Sequence, residues 1–158
     1  MDMKNFQTLF MAIGFLLYLP ACKSTYPTTA EVQYLGSPTT GLIKIDAVGY
    51  GTDEKKAEMD VYRTAFNTIL FRGLPAFSPL QRPMIENESA ARSKHAAFFQ
   101  QFFEERGYLK YITERSAPSK SEKTAEKNTK IVRQTLVVNY DALRRDLEQN
   151  GVIRKFGL

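Results

Sequence analysis

The chain has 158 residues, of which 43% are hydrophobic and 25% are charged, and its formal net charge is +5. This composition excludes a disordered tail and a polytopic membrane protein, and the length fits a single domain. One Cys and one His exclude a disulfide framework and a cysteine-rich metal centre within the chain, so we expect no bound metal.

A short apolar run occupies the N-terminus. Lys4 precedes this run, which extends from Leu9 to Leu19 and is followed by Pro20-Ala21-Cys22. The run is too short for a membrane-spanning helix, which needs about 20 apolar residues. It has the length of the hydrophobic region of a signal peptide, and the only Cys of the chain lies just behind it.

The segment Leu19-Pro20-Ala21-Cys22 resembles the lipobox of bacterial lipoproteins, although the family's usual small residue is replaced by Pro20. The resemblance implies that residues 1–21 are a signal peptide and that Cys22 carries a covalent lipid, which anchors the chain without any other cofactor. Lys23 stands where similar lipoproteins of the inner membrane carry Asp, so the resemblance implies the outer membrane. Residues 23–26 also lack the acidic residues that direct some lipoproteins to the cell surface, which implies the periplasmic side of that membrane. An uncleaved apolar helix with a chance Cys is the alternative.

Residues 23–40 are rich in Thr, Ser and Pro and show no apolar periodicity. Pro27 and Pro38 discourage regular structure. We therefore expect residues 22–40 to form a flexible tether that starts at the acylated Cys and holds the domain within roughly 25 Å of the membrane.

The folded domain is predicted to span residues 41–158. Alternation from Leu42 to Tyr50 predicts a first strand, with Ile43 on its buried side. A helix follows, with Thr52 as its N-cap, and Gly73 ends it.

Gly49 and Gly51 separate this strand from the helix and match the start of a dinucleotide-binding fingerprint. Asp53 and Glu54, however, occupy the helix end, where a pyrophosphate needs unobstructed amides. We therefore interpret the two glycines as a tight turn that lets the helix approach the strand closely.

The rest of the chain is predicted to alternate between helices and short strands. The helices are expected at residues 88–106 and 139–150, the strands at 108–113, 130–139 and 152–156, and a polar, basic hairpin loop at 115–129. These elements predict an α+β fold, in which a small antiparallel sheet carries helices on one face and is preceded by the signal peptide and the tether.

Four Phe residues recur at spacings of three and four in the second predicted helix: Phe98, Phe99, Phe102 and Phe103. Such a stripe buries a large apolar area, so core packing is our first interpretation. A partner-binding face that includes Phe98 and Phe102 is the alternative. His95 lies one turn away, and we interpret it as an ordinary helix residue because no second His is present to complete a metal site.

The segment from Arg115 to Arg133 contains six basic and two acidic residues and so carries most of the net charge. Export removes nucleic acid as a partner, and no aromatic residue lies in this segment to stack on a base. The remaining anionic partners are lipopolysaccharide or phospholipid headgroups, wall glycans and acidic proteins. The candidate binding residues are Lys120, Lys123, Lys127 and Lys130, and a solvated loop without a partner is the alternative.

Residues 41–73, in which a strand ending Gly49-Tyr50-Gly51 precedes an alanine-spaced helix, resemble the strand-helix domain of some outer-membrane lipoproteins and of the N-terminal part of the flagellar protein FlgT. In size and anchoring, the chain is also similar to TssQ-like accessory lipoproteins of type VI secretion machines. These resemblances imply a non-enzymatic, lipid-anchored periplasmic module that binds protein partners and ties an envelope-spanning assembly to the outer membrane.

The sequence is also compatible with two other functions. The first is a glycan- or lipopolysaccharide-binding lipoprotein that uses the basic loop. The second is an enzyme in which Glu86 and Glu88 perform acid–base chemistry, although polar residues at a helix start usually act as caps. The sequence has no Gly-x-Ser-x-Gly elbow, which favours the binding functions.

Overall fold

The computed structural model describes residues 31–120, 122–123 and 129–155. Cys22 and Lys127 lie outside these residues. The strands are β1 (Val32–Gly36), β2 (Leu42–Gly51), β3 (Ile112–Arg115), β4 (Glu122–Lys123) and β5 (Lys130–Asn139). They form an antiparallel sheet in the order β1-β2-β5-β3, and β4 pairs with β5 farther along the same edge as β3.

Four α-helices complete the fold, which confirms the predicted α+β class. They are α1 (Glu54–Asn67), α2 (Glu88–Lys94), α3 (Ala96–Phe99) and α4 (Tyr140–Gln149). π-Helical stretches extend α1 over Thr68–Arg72 and α3 over Gln100–Glu104, and 3-10 turns lie at Ser78–Leu80 and Gly107–Tyr111. Within the described residues, no helix is both long and apolar enough to cross a membrane.

Alternation along β2 and β5 creates the main core, as the sequence predicts. Ile43, Ile45 and Ala47 of β2 are at most 1% exposed, and they share one face of the sheet with Val132, Leu136 and Val138 of β5. The buried side chains of α1 and α4 pack onto this face, which we call the helix face: Ala57, Val61, Ala65, Phe66, Leu143 and Leu147.

The glycines at the end of β2 permit the close helix approach that the sequence predicts. A Cβ atom at Gly49 would overlap the main chain of α1 at Ala57 and Val61, and one at Gly51 would overlap the Ala57 nitrogen. The N-cap of α1 is Asp53 rather than the predicted Thr52, because the Asp53 carboxylate accepts a hydrogen bond from the Lys56 amide at 2.9 Å. This bond lowers the pKa of Asp53.

The predicted tether is partly wrong, because Val32–Gly36 forms a strand that pairs with β2. Val32 and Tyr34 lie on the helix face, whereas Gln33 and Leu35 point to the opposite side. Such an alternation covers too few residues to stand out in a Ser-, Thr- and Pro-rich segment. The folded part therefore starts before Gly41.

The second predicted helix is interrupted at His95, whose backbone leaves the helical region (φ −118°, ψ 41°) and divides α2 from α3. The strand predicted at residues 108–113 is instead a 3-10 turn, and β3 starts only at Ile112. Residues 152–155 form no strand. Val152 and Ile153 instead donate hydrogen bonds to the Leu147 carbonyl and cover the end of α4.

The last helix agrees with its sequence signals. The Asn139 side chain accepts a hydrogen bond from the Ala142 amide at 2.9 Å and caps α4. Leu143 and Leu147 are fully buried. Gly151, at φ 66°, takes the left-handed conformation that favours glycine after a helix.

Candidate partner-binding surface

The face of the sheet opposite the helices is formed by the alternate residues of each strand. We call it the outer face, and it consists of Gln33, Leu35, Lys44, Asp46, Val48, Glu114, Arg133, Thr135 and Val137. No helix of the described residues packs on it, and Leu35 is 47% exposed. An antiparallel sheet tolerates one solvated face, so this arrangement is stable without a further layer.

Polar contacts organise the centre of the outer face. The Asp46 carboxylate pairs with the Arg133 guanidinium at 2.7 Å and accepts a hydrogen bond from the Thr135 hydroxyl at 3.3 Å. Beside this network lies a shallow depression of about 310 Å³, bordered by Lys44, Glu114 and Val137. The outer face therefore presents charges of both signs near the exposed Leu35, whereas Val48 and Val137 are only 7% and 6% exposed.

One edge of the sheet is formed by β3 and the residues that follow it. The Ser116 amide donates to the Thr135 carbonyl at 2.9 Å, and the Ser119 amide donates to the Arg133 carbonyl at 2.9 Å, so the chain continues beside β5 beyond β3. This edge carries Glu114, Arg115, Pro118 and Lys120. Charged side chains and proline are features that discourage further strand pairing.

The other edge is β1, with the sequence Val-Gln-Tyr-Leu-Gly. The Val48 amide donates to the Glu31 carbonyl at 2.8 Å, so the main-chain groups of Glu31 and Gln33 face β2. The main-chain N–H and C=O groups of Val32 and Tyr34 consequently point away from the sheet. The described residues provide no hydrogen-bond partner for these four groups.

The predicted basic residues are only partly brought together. Lys123 of β4 lies opposite Lys130 of β5 in the backbone register, and Lys120 is exposed nearby. Two other cations of the segment are engaged inside the domain: Arg115 donates to the Tyr62 hydroxyl at 3.0 Å, and Arg133 pairs with Asp46.

The aromatic candidates lie mainly in the core. Phe102 is 3% exposed and packs edge-on to Phe66, and Phe98 is half-buried and stacks on Phe102 at 5.7 Å between ring centroids. The Arg92 guanidinium lies over the Phe103 ring at 4.7 Å from its centroid. This agrees with core packing as the first interpretation of the Phe stripe and leaves the Phe102 ring inaccessible to a partner.

The other polar candidates have structural contacts. Asn87 caps α2 by accepting from the Ala90 amide, and Glu88 forms an ion pair with Arg92 at 2.8 Å. His95 is half-buried at the junction of α2 and α3. Among the residues described, no three His, Cys, Asp or Glu side chains lie close enough together to hold a metal ion.

A polar cluster that the sequence analysis missed joins α4 to the start of β3. The Tyr111 hydroxyl donates a short hydrogen bond to the Asp146 carboxylate, which also pairs with the Lys110 ammonium at 3.0 Å. Burial opposes ionisation of Asp146, but these two donors outweigh it and lower the pKa of the carboxyl group. Burial and the hydrogen bond to Asp146 raise the pKa of Tyr111. No spacing rule predicts this contact, because its partners are distant in sequence.

Comparison of the chain with protein-family models, with curated proteins and with solved structures found no match.

Proposed function

We propose that this protein is a lipid-anchored module of the bacterial envelope that binds a protein partner and ties an envelope-spanning assembly to the outer membrane, facing the periplasm and acting without catalysis of its own. Cys22, at the end of the lipobox-like segment, supplies the anchor, and the sheet supplies the binding surface. Secretion-type machines are the class of assembly that the sequence resemblance favours.

The single observation that carries the proposal is the outer face, where charged side chains of both signs and the exposed Leu35 lie outside the helix layer. Its position relative to Cys22 also supports the proposal. The nine residues that separate Cys22 from β1 span at most about 35 Å when fully extended. An acylated Cys22 therefore holds the sheet near the membrane surface, within reach of partners on that membrane.

The anchor is tested by the Cys22→Ala variant. We expect this variant to keep its fold and to leave the membrane fraction after a high-salt wash, whereas the unmodified chain stays there and shows the mass of a lipidated N-terminus. Sedimentation of the variant with membranes after the wash contradicts lipid anchoring.

The binding surface is tested with a photo-crosslinking residue at Lys44, in the outer face, and a matched one at Lys94, which is exposed on α2. α2 contacts α1 through the Arg92–Asn67 hydrogen bond and so belongs to the helix layer. We expect a discrete crosslinked protein from Lys44 and none from Lys94 when the chain is expressed in its own envelope. Equal products from both positions contradict a specific role of the outer face.

One observation favours binding of an anionic glycan or lipopolysaccharide as a second candidate. The backbone register places Lys123 opposite Lys130, so two lysine positions of the predicted basic segment are adjacent on neighbouring strands. Lys120 and Lys127, which lie close by in the sequence, add to the positive charge of this segment.

The second candidate is tested by replacing Lys123 and Lys130 with Gln. We expect co-sedimentation with purified lipopolysaccharide to fall strongly and to lose its dependence on salt. The Lys94→Gln variant is the control for a change in charge elsewhere. Unchanged binding by the double variant excludes this candidate.

A further inference from the structure

The free edge of β1 offers four main-chain hydrogen-bonding groups. Val32 and Tyr34 each direct one N–H and one C=O away from β2, and no described residue bonds to them. The irregular register between Tyr34 and Gly36 ends the regular strand there. The pairing surface is therefore two residues long and offers two donors and two acceptors.

We infer that β1 pairs antiparallel with β1 of a second copy of this chain, with Gln33 opposite Gln33, so that two sheets join into one. In this register, Val32 of each copy faces Tyr34 of the other. Each pair exchanges two N–H···O=C bonds, and the four resulting bonds use all the outward groups of both strands. The inference goes beyond the proposed function and does not depend on acylation of Cys22.

The side chains suit this symmetric pair. Tyr34 and Val32 of opposite copies meet on the helix face, where an aromatic and a β-branched residue form a favourable cross-strand pair. The two Gln33 side chains meet on the outer face without any charge. β1 also contains no Lys, Glu or Pro, which are the residues that usually protect an edge from pairing.

A second copy fits this edge better than a long extended peptide does. Only two residues of β1 offer outward groups, so a longer peptide gains no additional main-chain bonds from the strand. A two-fold pair is also closed, because each β1 edge is used once and no free β1 edge is left for another copy. In this pair the two Glu31 residues lie about 14 Å apart, one at each end of the paired segment.

The inference is tested by disulfide formation in the full chain. In the proposed register the two Gln33 Cα atoms lie at a non-hydrogen-bonded position about 4.5 Å apart, which suits a disulfide. The two Leu35 residues are about 14 Å apart, too far for a bond. Leu35 is 47% exposed and so makes a matched control. We expect Gln33→Cys to give a disulfide-linked dimer under mild oxidation, and Leu35→Cys to give no more than the unmodified chain.

A charge exchange at the same position provides the second measurement. Gln33 is exposed, so its replacement leaves the fold intact. We expect Gln33→Lys alone, and Gln33→Glu alone, to weaken self-association roughly fivefold, because like charges then lie opposite each other. A mixture of the two variants should recover association through mixed dimers, which sedimentation and native mass spectrometry detect.

Three results would overturn the inference. The first is a Gln33→Cys chain that forms no more dimer than Leu35→Cys. The second is a disulfide or crosslink from position 33 to a different protein, which would assign the edge to a foreign strand. The third is a mixture of the Lys and Glu variants that associates no better than either variant alone.

Discussion

The two edges of the sheet are held and protected in different ways. Around β3, side chains from distant parts of the chain fix the edge: Tyr111 bonds to Asp146, Arg115 to Tyr62, and the Gln134 amide to the Ser116 carbonyl. β1 is held by its ladder to β2, by Tyr34 against Phe77 and by an exposed ion pair. The edge that is charged and fixed resists pairing, whereas β1 contains no charged residue and leaves its main-chain groups available.

Both edges depend on the contact between α1 and β2, so the largest effect is expected there. In Gly49→Ala, the new Cβ atom overlaps the main chain of α1 at Ala57 and Val61, and neither backbone can move without displacing the core. We expect a loss of about 3 kcal/mol or more in the free energy of unfolding, measured by urea denaturation.

Gly36→Ala is the matched control at the end of β1. A Cβ atom at Gly36 meets nothing within 4 Å, so the variant adds only the conformational cost of a side chain at φ 129°. We expect Gly36→Ala to lower the free energy of unfolding by about 1–2 kcal/mol. Equal losses in the two variants would contradict the assignment of the Gly49 effect to overlap with α1.

The β1 edge is tested next by Tyr34→Ala. The Tyr34 ring lies 5.1 Å from the Phe77 ring, which in turn packs edge-on to Tyr140 of α4. Removal of the ring takes away half-buried apolar area and one aromatic contact, so we expect about 2 kcal/mol of destabilisation. Hydrogen exchange should show faster opening at β1 than at β5. Equally faster hydrogen exchange in all strands of the sheet would mean that β1 does not open independently of the other strands.

The β3 edge is tested by Tyr111→Phe, which removes the hydroxyl that donates to Asp146. We expect about 1.5 kcal/mol of destabilisation at neutral pH. The pKa of Asp146 lies below its usual 3.8 in the folded protein, so its stabilising contribution is complete above about pH 5 and is lost as the pH falls through the folded pKa. The difference in the free energy of unfolding between the unmodified chain and Tyr111→Phe should therefore be constant above pH 5 and shrink below it. A difference that does not change with pH contradicts this account.

The sequence predicts those parts of the fold that local signals determine. The alternation of β2 and β5, the Asn139 cap and the Gly49 turn all follow from residues close together in the chain. β1 escapes prediction because only Val32 and Tyr34 mark its buried side. The Tyr111–Asp146 bond and the two dissimilar edges arise from tertiary pairing, which one sequence does not reveal.

The smallest effect is expected at the ion pair between Arg72 and Glu31, beside the start of β1. The Arg72 side chain is 68% exposed, so solvent screens its 3.2 Å contact with Glu31. Arg72→Ala should lower the free energy of unfolding by less than about 0.5 kcal/mol, and added salt should reduce this loss further. A loss as large as that of Tyr34→Ala would mean that charge, rather than the ladder and the ring contact, holds β1. In that case a partner able to compete for Arg72 would release the strand, and pairing at the β1 edge would become sensitive to ionic strength.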